Sequence, residues 1–322
     1  MKKLLQNKRS NRILKVLLFC GLLYVLYQQL FSNEKIDIAY EHFLINFHGN
    51  YLLLLMVLLL MLFNWGIEAI KWKLLIDKLH QISWAEAIEG ILFGVTFSLF
   101  TPSRIGEFGG RIFALNTDRK ESIVSTALGS LAQIVANLTL GALGLLLYVA
   151  SFKKTDSYVL FAFVFIYLLM ITVIHFCYYN LDVFSNKFSK LPLLKNLRKY
   201  IHIIDLYPNS DFLKLEFFSI IRYCIYCIQF VILLKFFSIQ IPLHTSMMLV
   251  AAIFFVQTIN PFNIALIDFG FRGNVAAYFL APFTDNHIAI IATTISLWFI
   301  NLILPAIIGG LSALRFKFFK EE

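Results

Sequence analysis

The sequence predicts an all-α polytopic membrane protein of about six full spans plus two re-entrant broken-helix hairpins, and three observations predict it. Hydrophobic residues make up 59% of the 322 and only 15% are charged, far from the soluble balance of nearly half apolar and roughly a quarter charged. Six apolar segments reach the length of about 20 residues that a hydrocarbon core requires. Two further apolar segments are broken in the middle by proline, and each break is followed by the same short polar signature.

The first expected span, 13–31, follows a basic start from Met1 to Arg12. Its apolar run is long for a cleaved leader and ends in Tyr27-Gln28-Gln29 instead of small residues, so it reads as a retained span. The remaining spans are expected at 48–70, 122–150, 157–179, 216–238 and 287–312, giving one transmembrane domain over 1–322. The hairpins are expected at 84–116, broken by Thr101-Pro102, and at 245–283, broken by Asn260-Pro261. Proline in mid-membrane frees backbone groups that lipid cannot satisfy, so each break must lie within protein or line a wet cavity.

The signature reads Glu107-Phe108-Gly109-Gly110-Arg111 in the first hairpin and Asp268-Phe269-Gly270-Phe271-Arg272 in the second. Each follows a Pro-x-x-Ile stretch, Pro102 to Ile105 and Pro261 to Ile264. Ionisable groups at bilayer depth persist where they pair, face water or meet a substrate, and a duplicated site of this kind is what internal repeats produce.

Basic residues set the expected orientation. The N-terminal lysines and arginines, then Lys71, Lys73 and Lys78, Arg119 and Lys120, the 180–214 loop and the C-terminal Arg315, Lys317 and Lys320 all fall on one side if both hairpins return to the face they left. That side is expected to be cytoplasmic and to hold both termini. The first hairpin then enters from the cytoplasm and the second from outside, as in an inverted repeat. Within the 180–214 loop, Leu194, Leu197, Ile201 and Ile204 share a helical face, which fits a helix on the headgroups or a solvated linker.

A net charge of +9 does not point to nucleic acid, because the basic residues flank apolar spans and suit the anionic leaflet instead. Cys20, Cys177, Cys224 and Cys227 lie in apolar stretches, and neither the Cys224-x-x-Cys227 pair nor the scattered histidines offer a metal-ligand set. No metal, cofactor or nucleotide is implied. Asp268-Phe269-Gly270 spells a kinase motif without the glycine-rich loop or catalytic loop that would give it meaning.

Arg104, Glu107 and Arg111 stand three and four residues apart and would share a face on a helix restarting after Pro102. Glu107 neutralises one arginine, and the net positive remainder suits an anionic headgroup; a structural Glu107–Arg111 pair that locks the hairpin is the competing reading. Asp268 and Arg272 repeat the spacing. Thr101, Pro102, Gly106, Asn260, Pro261 and Gly270 form the breaks. Glu68 is a partner for Arg104 or a snorkelling side chain, and Glu107 is the acid at which proton coupling would be sought. Gln133 and Asn137 suit interhelical hydrogen bonds, and Ser125, Gly129, Gly141 and Gly144 suit close packing.

From Thr101 to Phe108 the chain resembles a flippase-like membrane family that includes the transmembrane portion of lysylphosphatidylglycerol synthases. The family's first motif, approximately T-P-G-R-x-G-E, is matched except that Ser103 replaces glycine. The second, a glycine-rich G-x-R-E stretch, is met by Gly270-Phe271-Arg272 but has Gly273 where glutamate is usual. The resemblance implies an inner-membrane protein that moves an anionic or zwitterionic lipid between leaflets, with Arg104, Glu107, Arg111, Asp268 and Arg272 lining the path. It does not imply aminoacyl transfer, and the chain is not expected to be an enzyme. The expected partners are membrane lipids, with oligomerisation left open. The rival readings are a membrane transferase using Glu107 or Asp268 as general base, and an accessory anchor acting through the 180–214 loop.

Overall fold

The computed structural model describes residues 34–99, 101, 105–113, 121–153, 155–183, 202–260 and 265–315. Ten α-helices follow one another among these residues: α1 (Glu34–Ile76), α2 (Trp84–Ser98), α3 (Gly106–Phe113), α4 (Glu121–Phe152), α5 (Ser157–Tyr179), α6 (Asn209–Phe236), α7 (Leu243–Thr258), α8 (Ala265–Leu280), α9 (His287–Trp298) and α10 (Leu304–Arg315). A 3₁₀ turn spans His202–Leu206, and a π-helical segment, Phe299–Ile303, joins α9 to α10. No strand occurs among the described residues. Five stretches are long and apolar enough to cross a membrane: Gly49–Ile76, Glu121–Phe152, Ser157–Tyr179, Asn209–Phe236 and His287–Ser312. The protein is an all-α, multi-pass membrane protein; the expected span 13–31 lies outside the described residues.

Helix α6 is central and α1 lies antiparallel along it. Three polar contacts fix their register in seven-residue steps. The Asn50 side-chain amide donates to the Phe236 carbonyl, Gln229 donates to the Val57 carbonyl, and Arg222 Nε donates to Asn64 Oδ1. A repeat of seven keeps one seam of each helix facing the other, as in left-handed supercoiled pairs. The apolar span of α1, Gly49–Ile76, starts where the sequence places it, at 48, and the helix itself begins earlier. It is helical from Glu34, with a kink at Asn50 (φ −130°, ψ 20°), the residue whose side chain reaches α6. Likewise α6 begins at Asn209, not 216, because Pro208 caps its first turn and Phe212 and Leu215 are buried.

Both proline breaks separate two helices, as expected. Helix α2 opens on a capping box: the Ser83 hydroxyl accepts from the Glu86 N–H while the Glu86 carboxylate accepts from the Ser83 N–H. It then packs antiparallel on α3 through glycines. A Cβ at Gly110 would stand 2.4 Å from the Phe93 carbonyl oxygen, one at Gly106 2.2 Å from that of Phe97, and one at Gly94 2.7 Å from Arg111 Cγ. Thr101 stitches the turn, its hydroxyl accepting from the Gly106 N–H at 2.6 Å. Pro102 to Arg104 and Pro261 to Ile264 lie outside the described residues, as does most of the 180–214 loop.

The hairpins open towards opposite ends of the bundle. At one end the C-terminus of α1 meets the N-terminus of α4 through Trp72–Thr126 and Lys71–Gly129 hydrogen bonds. Trp84, at the mouth of the first hairpin, lies at this end, since Gly90 already abuts Trp72. At the other end, Tyr148 and Phe152 of α4 meet Phe279 and Phe283, which close the second hairpin, edge to face at 5.0 Å between ring centres. The tips meet in depth. Leu99 packs with Trp65 and Trp298, one residue from Asn64, while Thr258 accepts from Asn137 Nδ2 at 3.4 Å, one turn from Gln133. Close packing of α4 on α7 brings this about: Gly144 and Gly141 abut Ala251 and Phe255, the small-residue role expected of them.

Two further features hold the ends. Tyr207 donates to the Leu75 carbonyl at 2.8 Å and bonds Ser125, and burial pushes its hydroxyl pKa up to about 12. Pro305 lacks the N–H that would continue the α9 ladder, and Leu304 instead bonds back to the Phe299 carbonyl in the wider π turn. Helix α5 is apolar all round and exposed along its length, the pattern of a lipid-facing helix.

Two predictions follow from this packing. Gly110→Ala should destabilise the protein by about 1–3 kcal/mol through overpacking, whereas Gly109→Ala, with nothing within 4 Å of the added Cβ, should be neutral or slightly stabilising; thermal unfolding in detergent separates them. Single cysteines placed at Asp156 and Asp285 should be labelled from one side of the membrane and one at Lys78 from the other. Labelling of all three from a single side would be incompatible with this fold.

Candidate functional site

Five elements converge on one buried polar cluster at the depth of the hairpin tips. Asn64, Glu68 and Lys71 are spaced by four and three residues on α1 and so share a face. Glu107 and Arg111 lie one turn apart on α3, Arg222 projects from α6, Gln133 from α4 and Asn301 from the π segment. Arg111, Lys71, Glu68 and Arg222 are 2%, 1%, 4% and 6% exposed.

Glu68 is the hub. One carboxylate oxygen accepts from Arg111 Nη2 at 2.6 Å; the other accepts from Arg222 Nη1 and lies 3.4 Å from Lys71 Nζ. Lys71 also donates to the Gly129 carbonyl at 3.2 Å. Arg222 also donates from Nε to Asn64 Oδ1 at 2.8 Å and from Nη1 to Gln133 Oε1 at 3.3 Å, with its plane 5.6 Å from the Trp65 ring centre. Gln133 donates in turn to Asn137 Oδ1 and the Ser219 carbonyl, and Asn137 to Thr258 at the tip of the second hairpin. A continuous polar chain therefore links the two hairpins through α1, α6 and α4.

Among the described residues the cluster is not internally balanced: Lys71, Arg111 and Arg222 against Glu68 and Glu107 leave one positive charge in excess. Arg111 Nη2 serves Glu68 and Glu107 together, while its Nε is buried with no hydrogen-bond partner. Trp65 Nε1, beside Arg222, is also buried without one. Both are N–H donors, and buried donors are satisfied in nearly all proteins. The site is short of acceptors and of negative charge.

Of the residues expected from sequence, Glu107 and Arg111 are joined as the structural pair, and that pair is part of the larger cluster. Glu68 does not snorkel: it is buried against Arg111, Arg222 and Lys71. Arg104 lies outside the described residues. Lys71, read as a topology marker, is a buried member of the cluster. In the second hairpin Arg272 lies on α8 and donates to Gln257 at 3.4 Å; Asp268 lies on the same helix, its side chain outside the description. The polar chain from Glu107 and Arg111 runs through Gln133 and Asn137 to Thr258 on α7, and Arg272 bonds the adjacent Gln257. Gln133 and Asn137 make the interhelical bonds expected of them.

Arg222 escaped the sequence reading, although the signal was present: a cation well inside an expected span seldom faces lipid. Among the described residues no group of three or more metal-ligating side chains occurs. Cys177, Cys224 and Cys227 are free thiols.

Removing Glu68 leaves Arg222 and Lys71 without their carboxylate and Arg111 with Glu107 alone, and a broken buried pair costs about 3–5 kcal/mol. Glu68→Leu should therefore lower the thermal midpoint sharply, and adding Arg222→Met should recover part of the loss. Lys71→Met, which removes the excess charge, should cost much less than Glu68→Leu. Equal destabilisation by the two single variants would contradict Glu68 as the hub.

No curated protein and no solved structure matches the chain. The model of the family described as lysylphosphatidylglycerol synthase TM region matches residues 13–303, and the chain belongs to that family.

Proposed function

We propose that this chain binds the headgroup of an anionic or zwitterionic membrane lipid at the Glu68–Arg111–Arg222 cluster and passes it between leaflets. The observation that carries this reading is the cluster's imbalance: one excess positive charge and two buried N–H donors without acceptors, Arg111 Nε and Trp65 Nε1. A phosphate diester supplies one negative charge and several acceptor oxygens, and arginine's fork suits it. Membership of a family named for a lipid synthase's membrane region and the multi-pass fold support lipid as the cargo.

The hairpins suit passage as well as binding. Their mouths open to opposite ends and their tips stop at the cluster's depth, so parting either hairpin exposes the same charges to a different side. Alternating exposure about a fixed site is the general scheme for folds with broken helices at the midplane. In this reading no covalent bond is made or broken, the acyl chains stay in lipid, and the end carrying Lys73, Lys78 and Lys214 faces the cytoplasm. Arg104, three residues before Glu107 in sequence, adds to the positive character of the first hairpin.

Purified protein in liposomes should move fluorescent phosphatidylglycerol and phosphatidylethanolamine between leaflets, and should not move a diacylglycerol that lacks phosphate. Arg104→Ala should slow transport about tenfold or more, the value of one charge-assisted contact, and Arg111→Lys should retain only part of the rate because lysine lacks the fork. Thermal midpoints of both variants separate lost transport from lost fold. Equal movement of all three lipids, or a wild-type rate in Arg104→Ala, would overturn the reading.

A further inference from the structure

Helices α9 and α10 belong to one apolar stretch long enough to cross a membrane, His287–Ser312, yet its two halves pack into different parts of the protein. In α9, Ala289, Ile290 and Ala292 are buried in the same core as Phe230 of α6 and Val250 of α7. In α10, Ala306 packs instead with Val95 and Leu99 of the first hairpin. The Thr96 hydroxyl lies 2.9 Å from the Ala306 carbonyl oxygen, and one turn further a Cβ at Gly309 would stand 2.3 Å from the Leu92 carbonyl oxygen. Helix α10 therefore runs antiparallel along α2 at near-backbone contact.

The joint between the two halves is the π segment Phe299–Ile303. An unbroken α-helix would carry its i→i−4 bonds straight through this point. Here the Leu304 N–H turns to the Phe299 carbonyl, five residues back, and Pro305 has no N–H to give. The Ile300 and Asn301 carbonyls each lose their usual helical donor. Helices bend at prolines and π turns because the ladder is weakest there. The Asn301 side chain donates to the Leu297 carbonyl at 3.2 Å and accepts from Asn64 at 3.5 Å, which places the joint at the depth of the charged cluster.

The remaining attachments of the first hairpin can yield without stranding a charge. Its covalent tie to α1 is the turn 77–83, folded on itself by Asp77, whose carboxylate accepts from Lys73 and from the Ile82 N–H. Its apolar contact with α1 runs through Trp72 and Ile91, and apolar faces that part within a membrane meet lipid, not water. Its ionic tie is Arg111 to Glu68. On leaving Glu68, Arg111 keeps Glu107 one turn away on its own helix. Within the hairpin, by contrast, Gly106 and Gly110 hold α3 on α2 at contacts that exclude a Cβ.

We propose that the π segment is a hinge, on which α10 and the first hairpin swing as one body against α9 and α6. The body comprises α2, α3 and α10, locked by close backbone contacts, and the axis lies beside Asn64. Swinging it opens the end of the bundle that carries Lys73 and Lys78 and leaves the second hairpin in place. That this motion serves passage of a headgroup rests on the function proposed above; the motion itself does not.

Spin labels read the motion in full-length protein in liposomes, on a background with the native cysteines replaced by alanine. Leu213 at the start of α6, Leu311 on α10 and Ile88 on α2 are exposed positions. The Leu213–Leu311 distance should be broad or two-peaked, whereas Ile88–Leu311 should give one narrow peak. Pro305→Ala supplies the missing N–H and should collapse the Leu213–Leu311 distribution towards a single peak, with thermal unfolding to check that the variant folds. A single narrow Leu213–Leu311 distance in the wild type, or an Ile88–Leu311 distance equally broad, would overturn the hinge whatever the variant does. An unchanged distribution in folded Pro305→Ala would remove the π segment as its seat. Lipid movement is scored separately in the same liposomes: rigid labels with normal transport sink the hinge alone, and the expected label pattern without transport supports the hinge and sinks the lipid reading.

Discussion

The fold turns on one carboxylate. Glu68 is the only acid among the described residues that touches both arginines of the cluster, and it receives one from each side of α1: Arg111 from the re-entrant α3 and Arg222 from the central α6. Three helices that share little covalent connection are held in register by that single group. The arrangement persists in an apolar interior because each of its cations has further acceptors besides Glu68: Asn64 and Gln133 for Arg222, Glu107 for Arg111 and the Gly129 carbonyl for Lys71. An unpaired charge at this depth would cost several kcal/mol.

Close backbone approach makes the cluster geometrically accessible. Arg111 can reach α1 only because α3 lies against α2 at contacts that exclude a Cβ at Gly106 and Gly110, and because Gly94 leaves room for the arginine stem. Lys71 finds its carbonyl at a glycine, Gly129. Where membrane helices lack a hydrophobic drive to associate, small residues and interhelical hydrogen bonds supply it, and here the two devices occupy the same helices. The seven-residue register of α1 on α6 then sets Arg222 opposite Asn64 and one turn from Glu68.

The bundle holds two buried ionic sites of different chemistry. In the central cluster the acids are held by guanidinium and ammonium groups, and two buried N–H donors, Arg111 Nε and Trp65 Nε1, have no acceptor among the described residues. At the α5–α6 seam Glu216 is held instead by the His175 ring and the Tyr179 hydroxyl.

Apolar run length was enough to predict five of the spans now seen, and the Pro-centred breaks were enough to predict two helix–turn–helix hairpins, since both follow from local physics: the thickness of hydrocarbon and the missing N–H of proline. The Glu107–Arg111 pair was legible for the same reason, being one helical turn long. The rest was set by tertiary packing. Nothing local says that Glu68 faces Arg222, more than 150 residues away, that Lys71 turns inward instead of marking the membrane edge, or that Arg272 reaches back to Gln257. Those choices depend on which seam of α1 meets α6 and how closely glycines let α3 approach. Charge at membrane depth announces that a partner exists, but only the packed bundle decides which one.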